Sequence, residues 1–251
     1  EKTTLGNRNI AIGKEALKNN VSGDGNIAIG YQAGYNTISS NNVFIGTKAG
    51  LENISGKNTV AIGTNAACNA SNQNEDNVFI GTNSGLNFDS TISSFLGGWA
   101  NVFIGKDAGA NAGCAWNVGI GVLSGNNITG FGNVNIGTGC GEMTTSGLNN
   151  VCIGTQAGNY LRSGARNVFI GTSAGFGYAD NTSGMATLLQ ELEYNTRTDN
   201  VFIGNEAGRS NISGSNNVFL GTESGNKINI GTANVFLGDS TGSEITSDVS
   251  N

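Results

Sequence analysis

At 251 residues, with 41 glycines, no proline, no histidine and a formal net charge of −6, the chain excludes several classes at the outset. Glycine without a three-residue period is not collagen, recurrent Val, Ile and Phe argue against disorder, and acidity without a basic cluster makes nucleic acid or an anionic membrane a poor partner. No run is long and apolar enough to cross a bilayer. Cys68, Cys114, Cys140 and Cys152 form no CxxC pair, and without histidine neither a zinc site nor Cys–His catalysis is expected. No cofactor is expected either.

The predicted elements are copies of one motif, Asn-Val-Phe-Ile-Gly-Thr-x-Ala-Gly. In chain order, short strands are expected immediately before Gly13, Gly30, Gly46, Gly63 and Gly81, then before Gly105, Gly121, Gly137, Gly154 and Gly171, and last before Gly204, Gly221 and Gly238. The period is about seventeen residues, which is short for a strand–helix unit and suits two short strands with two turns. The fold class predicted is all-β, a parallel β-solenoid of about thirteen coils, forming one elongated repeat domain over residues 1–251.

Within each copy, the residue three before the glycine is Val or Ile, and the residue just before it is Ile or Leu. Residues two apart on a strand face the same way, so these two columns are expected to line the interior. A small residue and then glycine follow the key glycine, marking one tight corner, and a frequent Ser-Gly marks a second. Asparagine precedes the strand in nearly every copy, including Asn9, Asn26, Asn42, Asn77, Asn101 and Asn117, and is expected to bond amide to amide along the stack.

Between the two aliphatic columns stand Phe44, Phe79, Phe103, Phe169, Phe202, Phe219 and Phe236, with Asn135 as a polar break. On the alternation argument this column points outward. Seven outward phenylalanines are an apolar patch that a lone chain rarely tolerates, so they are expected to be the contact of a homo-oligomer.

The period fails twice, and insertions in solenoids leave the stack as loops. The insertions fall near residues 86–100 and 176–199 and carry Phe95, Trp99, Tyr178, Asp180 and Tyr194, the candidate target-binding residues. Over Met185–Tyr194 the pattern suits a short lateral helix or a degenerate coil. Asp180, Glu191, Glu193 and Asp199 leave open a carboxylate pair for polysaccharide cleavage, as in a depolymerising tailspike. The partial row Thr47, Thr64, Thr82, Thr138, Thr155, Thr172 and Thr222 leaves open an ice-binding solenoid. An end-to-end polymerising surface filament is a further alternative.

The Asn-x-Val-x-Ile-Gly pattern resembles the head repeats of trimeric autotransporter adhesins, and the longer motif is similar to repeats in phage-like tail fibres. The resemblance spans nearly the whole chain. It implies a left-handed β-roll assembled as a homotrimer and an extracellular place on a cell surface or virion tail fibre. It also implies a non-enzymatic structural and adhesive role towards a surface glycan or protein receptor. Two departures stand out: the period exceeds that of the usual adhesin head, and Phe often replaces the small central residue. No nucleic acid partner and no membrane insertion by this segment are expected.

Overall fold

The computed structural model describes residues 6–70, 75–89, 97–177 and 196–245. Two compact units divide the chain, Glu1–Thr129 and Gly130–Asn251. The described residues of unit 1 carry seven three-residue strands: β1 (Ile10–Ile12), β2 (Ile27–Ile29), β3 (Val43–Ile45), β4 (Val60–Ile62), β5 (Val78–Ile80), β6 (Val102–Ile104) and β7 (Val118–Ile120). The described residues of unit 2 carry six: β8 (Val134–Ile136), β9 (Val151–Ile153), β10 (Val168–Ile170), β11 (Val201–Ile203), β12 (Val218–Leu220) and β13 (Val235–Leu237).

Within each unit every strand pairs with the next in parallel and in repeat register, as in Val60↔Val78 and Phe202↔Phe219. The chain is therefore an all-β solenoid. Both irregular intervals leave this register intact. Strand β5 pairs directly with β6 and β10 directly with β11, so the surplus residues add no rung between them. Met185–Tyr194 and most of the second insertion lie outside the described residues.

A second strand per coil is expected from the period, but in unit 2 that side is reduced to a ladder of single bridges, Leu148↔Ala165↔Thr198↔Ser215↔Thr232. The reason is local. The residue after each bridge turns left-handed, as at Asn149, Arg166, Asp199 and Asn216, with φ between 54° and 59°. A left-handed residue ends an extended run.

The key glycine of each copy is required twice over. Gly46 has φ +133°, and a Cβ there would stand 2.5 Å from the carbonyl oxygen of Gly63 in the next coil. Only a residue without a side chain lets the coils approach at strand spacing.

The asparagine column forms the buried ladder expected of it. Asn167 Oδ1 accepts the backbone N–H of Asn200 at 3.0 Å, while Asn167 Nδ2 donates to Asn150 Oδ1 at 2.9 Å and to the Arg197 carbonyl at 2.8 Å. Asn200, Asn217 and Asn234 continue the same pattern. Asn167, Asn200 and Asn217 thus saturate backbone groups that the turns leave unpaired, while Asn234 donates to Asn217 Oδ1 and its own Oδ1 has no partner.

The inside and outside of the strands are the reverse of the sequence expectation. Phe44, Phe79, Phe103, Phe169, Phe202 and Phe219 are fully buried within the single chain, and Phe236 is partly buried. The flanking Val and Ile columns keep partial exposure from β2 to β12. The rings stack on one another: Phe79 and Phe103 are 6.1 Å apart with Phe88 tilted against both, and Phe202 lies 4.7 Å from Phe219 at 4°. The six buried phenylalanines therefore cannot be an inter-chain contact while the fold stands, and Phe236, in the last strand, is only partly covered by its own chain. Asn135 likewise faces the interior rather than a symmetry axis.

The physical reason is space at the facing corner. Each phenylalanine is followed six residues later by a glycine whose absent side chain leaves room for the ring. A Cβ at Gly85 would overlap Phe79, and one at Gly208 would overlap Phe202. At two of the small strand centres the corner residue is larger, Ala61 with Ala67 and Ala11 with Leu17, whereas Ala28 is followed by Gly34, whose absent side chain makes room for Phe44 and Leu17 of the neighbouring coils. The interior is filled by complementary pairs, as close packing demands.

Candidate functional site

With the aromatic column inside, the outer face of each unit's sheet is made of two aliphatic columns. In unit 1 these are Ile10, Ile27, Val43, Val60, Val78, Val102 and Val118, beside Ile12, Ile29, Ile45, Ile62, Ile80, Ile104 and Ile120. No charged or polar residue interrupts either column in either unit. Alternation in a strand forces this: once the central residue points in, its two neighbours point out. At about 4.8 Å per rung and roughly 10 Å across, the unit 1 stripe covers on the order of 300 Å², near the largest apolar patch of an ordinary monomer. The sequence signal that carries this inversion is the Phe–Gly spacing, which strand alternation alone does not use.

The candidate binding residues fare differently. Phe95, Tyr178, Asp180 and Tyr194 lie outside the described residues. Trp99 is exposed at the corner before β6, and its indole meets that of Trp116 edge to face, with centroids 5.4 Å apart at 72°. Two bonds fix the Trp99 carbonyl: Trp116 N–H donates to it at 3.2 Å, and so does Asn101 Nδ2 at 3.2 Å. Trp116 itself sits at φ 62°, a left-handed conformation that is costly for a bulky residue.

Among the candidate carboxylates, Asp199 is committed to an exposed two-pronged pair with Arg166, at 2.7 and 2.8 Å. The Arg166 guanidinium holds the Asp199 carboxyl below its usual range. Glu191 and Glu193 lie outside the described residues. No group of three His, Cys, Asp or Glu among the described residues is placed to hold a metal. No helix among them is long and apolar enough to cross a membrane.

No family model matches the chain, and neither a curated protein nor a solved structure matches it.

The interior of unit 2 holds two unusual groups. Cys140 Sγ lies 2.8 Å from the Cys152 carbonyl oxygen, taking the place that Ser84 Oγ has against Phe103 O in unit 1. Contact with Cys152 and burial both push the Cys140 thiol up, so it is a structural donor rather than a nucleophile. Arg197 is fully buried where most other coils carry glycine or serine at the same corner. Its Nη1 donates to the Gly175 carbonyl at 2.6 Å and its guanidinium lies 4.9 Å from the Phe169 ring centroid, while Nε and Nη2 have no partner. Desolvation lowers its pKa to about 9.

Proposed function

We propose that this chain is a non-catalytic structural segment of a multi-chain fibre, in which the aliphatic sheet face packs against the same face of identical chains. The supporting observation is the uninterrupted pair of Val and Ile columns left on the outside of each unit. A partner that fits such a face has the same rung spacing of about 4.8 Å, so that ridges of one stack enter the furrows of the other along the whole stripe. A second copy meets that requirement automatically, and cyclic closure satisfies every copy equally. Three chains about one axis follow from the resemblance to adhesin heads and tail fibres, as does an extracellular attachment role.

This reading keeps a multi-chain assembly and moves its contact from the phenylalanines to Val and Ile. Light scattering on the purified chain tests it. The wild type is expected to run as a trimer, and Ile62→Lys with Ile104→Lys as a folded monomer, because each lysine places a charge in the middle of the contact. A monomeric wild type, or a trimer that survives both lysines, refutes it.

A further inference from the structure

We propose that Trp99 and Trp116 form a stacking platform for neutral saccharide rings on unit 1. This rests on the attachment reading and supplies its ligand class and contact residues.

The chain has two tryptophans in 251 residues, and the fold brings them edge to face on consecutive coils. They remain 39% and 43% exposed. Neither contributes to the interior, which the phenylalanine and alanine columns fill. A large aromatic at the left-handed corner is the costly choice. The equivalent positions of unit 1 hold Arg8, Gly25, Asn41, Asn58, Asp76 and Ala100, all left-handed. Strain of this sort together with solvent exposure points to a role outside folding.

The platform is also held in place. The Trp116 backbone is bonded to Trp99 and the Trp99 carbonyl to Asn101. The Trp99 indole lies across Gly97, where an added Cβ would stand 3.1 Å from its Cδ1. A fixed aromatic surface binds with little loss of side-chain entropy.

The surroundings select the ligand. Ala100 N–H donates to the Glu75 carbonyl at 3.1 Å, which puts Glu75 and Asp76 one coil below Trp99 and two below Trp116. Both side chains are exposed, and Asn58 Nδ2 donates to Asp76 at 2.9 Å. Indole faces take the apolar C–H face of a pyranose, and carboxylates accept its hydroxyl hydrogens. The same carboxylates repel uronic or sialylated sugars. Rungs repeating at about 4.8 Å place the two rings within the span of neighbouring residues of an oligosaccharide.

Calorimetric titration with cellohexaose, maltohexaose and chitohexaose tests this, with an alginate hexamer as the acidic comparison. At least one neutral hexamer is expected to bind saturably, and the alginate hexamer at least tenfold more weakly. Trp99→Ala and Trp116→Ala should each weaken binding tenfold or more, and Trp116→Tyr should keep it within about threefold, with thermal melts confirming that all three variants fold. Binding by none of the neutral hexamers, equal binding of alginate, or affinity unchanged in the alanine variants overturns the proposal. Oligomeric state is read separately by light scattering, so loss of sugar binding and loss of assembly are distinguishable.

Discussion

If the interior is filled by complementary strand-centre and corner residues, then Phe79 and Gly85 are energetically coupled, and a double-mutant cycle measures that coupling. Phe79→Ala removes a fully buried ring and is expected to cost about 3–5 kcal/mol. Gly85→Ala has two costs. Its φ of +60° strains an L-residue by about 1–2 kcal/mol, and its Cβ would overlap the Phe79 ring, which overpacking places at about 1–3 kcal/mol. The sum for independent sites is therefore about 5–10 kcal/mol. In the double variant the overlap disappears, because the ring that the introduced methyl group would strike is gone. The coil then carries the alanine pair already present at Ala61 and Ala67, where Ala67 is left-handed at φ 49°. The double variant is accordingly expected to be more stable than the sum by about 1–3 kcal/mol. Urea unfolding of the four proteins, followed by circular dichroism, gives the coupling directly. Additivity within about 0.5 kcal/mol would refute the assignment of the ring to the interior against this glycine.

Two further outcomes follow from the buried polar groups. Asn167→Ala is expected to destabilise unit 2 by about 3 kcal/mol, because the Asn200 N–H and the Arg197 carbonyl lose their partners in the interior; a loss below about 1 kcal/mol in chemical denaturation would show that the ladder is not needed. Arg197→Met should stabilise the chain at neutral pH by about 1–3 kcal/mol, since it removes a buried charge without a carboxylate partner. The sign of its pH dependence is fixed. The folded pKa of about 9 lies well below that of an ordinary arginine, so between the two the unfolded chain holds a proton that the folded chain has released. Wild-type stability should rise as pH climbs above 9, and the advantage of Arg197→Met in thermal melts should shrink from pH 8 to pH 11. A constant or growing advantage would contradict a buried, charged Arg197.

The period, the strand positions and the polar ladder were legible in the sequence because each follows from one residue in one column. All thirteen strands among the described residues fall where the glycine repeat predicts them. Alternation also correctly placed the central residue opposite its two neighbours. It could not say which set was inside, because both sets are apolar and a period of two is symmetric under exchange of faces. Volume decides that question, and it lies in a pair of columns: Phe44 with Gly50, Phe103 with Gly109 and Phe169 with Gly175, against Ala61 with Ala67 and Ala11 with Leu17. Reading the columns singly hides this complementarity. Trp99 is singled out by its place in an irregular interval, whereas its meeting with Trp116 depends on consecutive corners lying side by side, which the sequence does not display. Arg197 shows another limit, since a buried guanidinium at a glycine corner has no local sequence signal.

The in-register pairing of unit 2 makes one coil a removable part. Excising residues 201–217 would join Asn200 to Val218, leaving an asparagine before Val-Phe-Leu-Gly as Asn217 does now, and would set Phe169 beside Phe219 where each now meets Phe202. Both new neighbours would meet chemistry they already know. Adding or removing such a coil would therefore change the length of the stack in whole steps of about 4.8 Å while keeping every joint of the same kind.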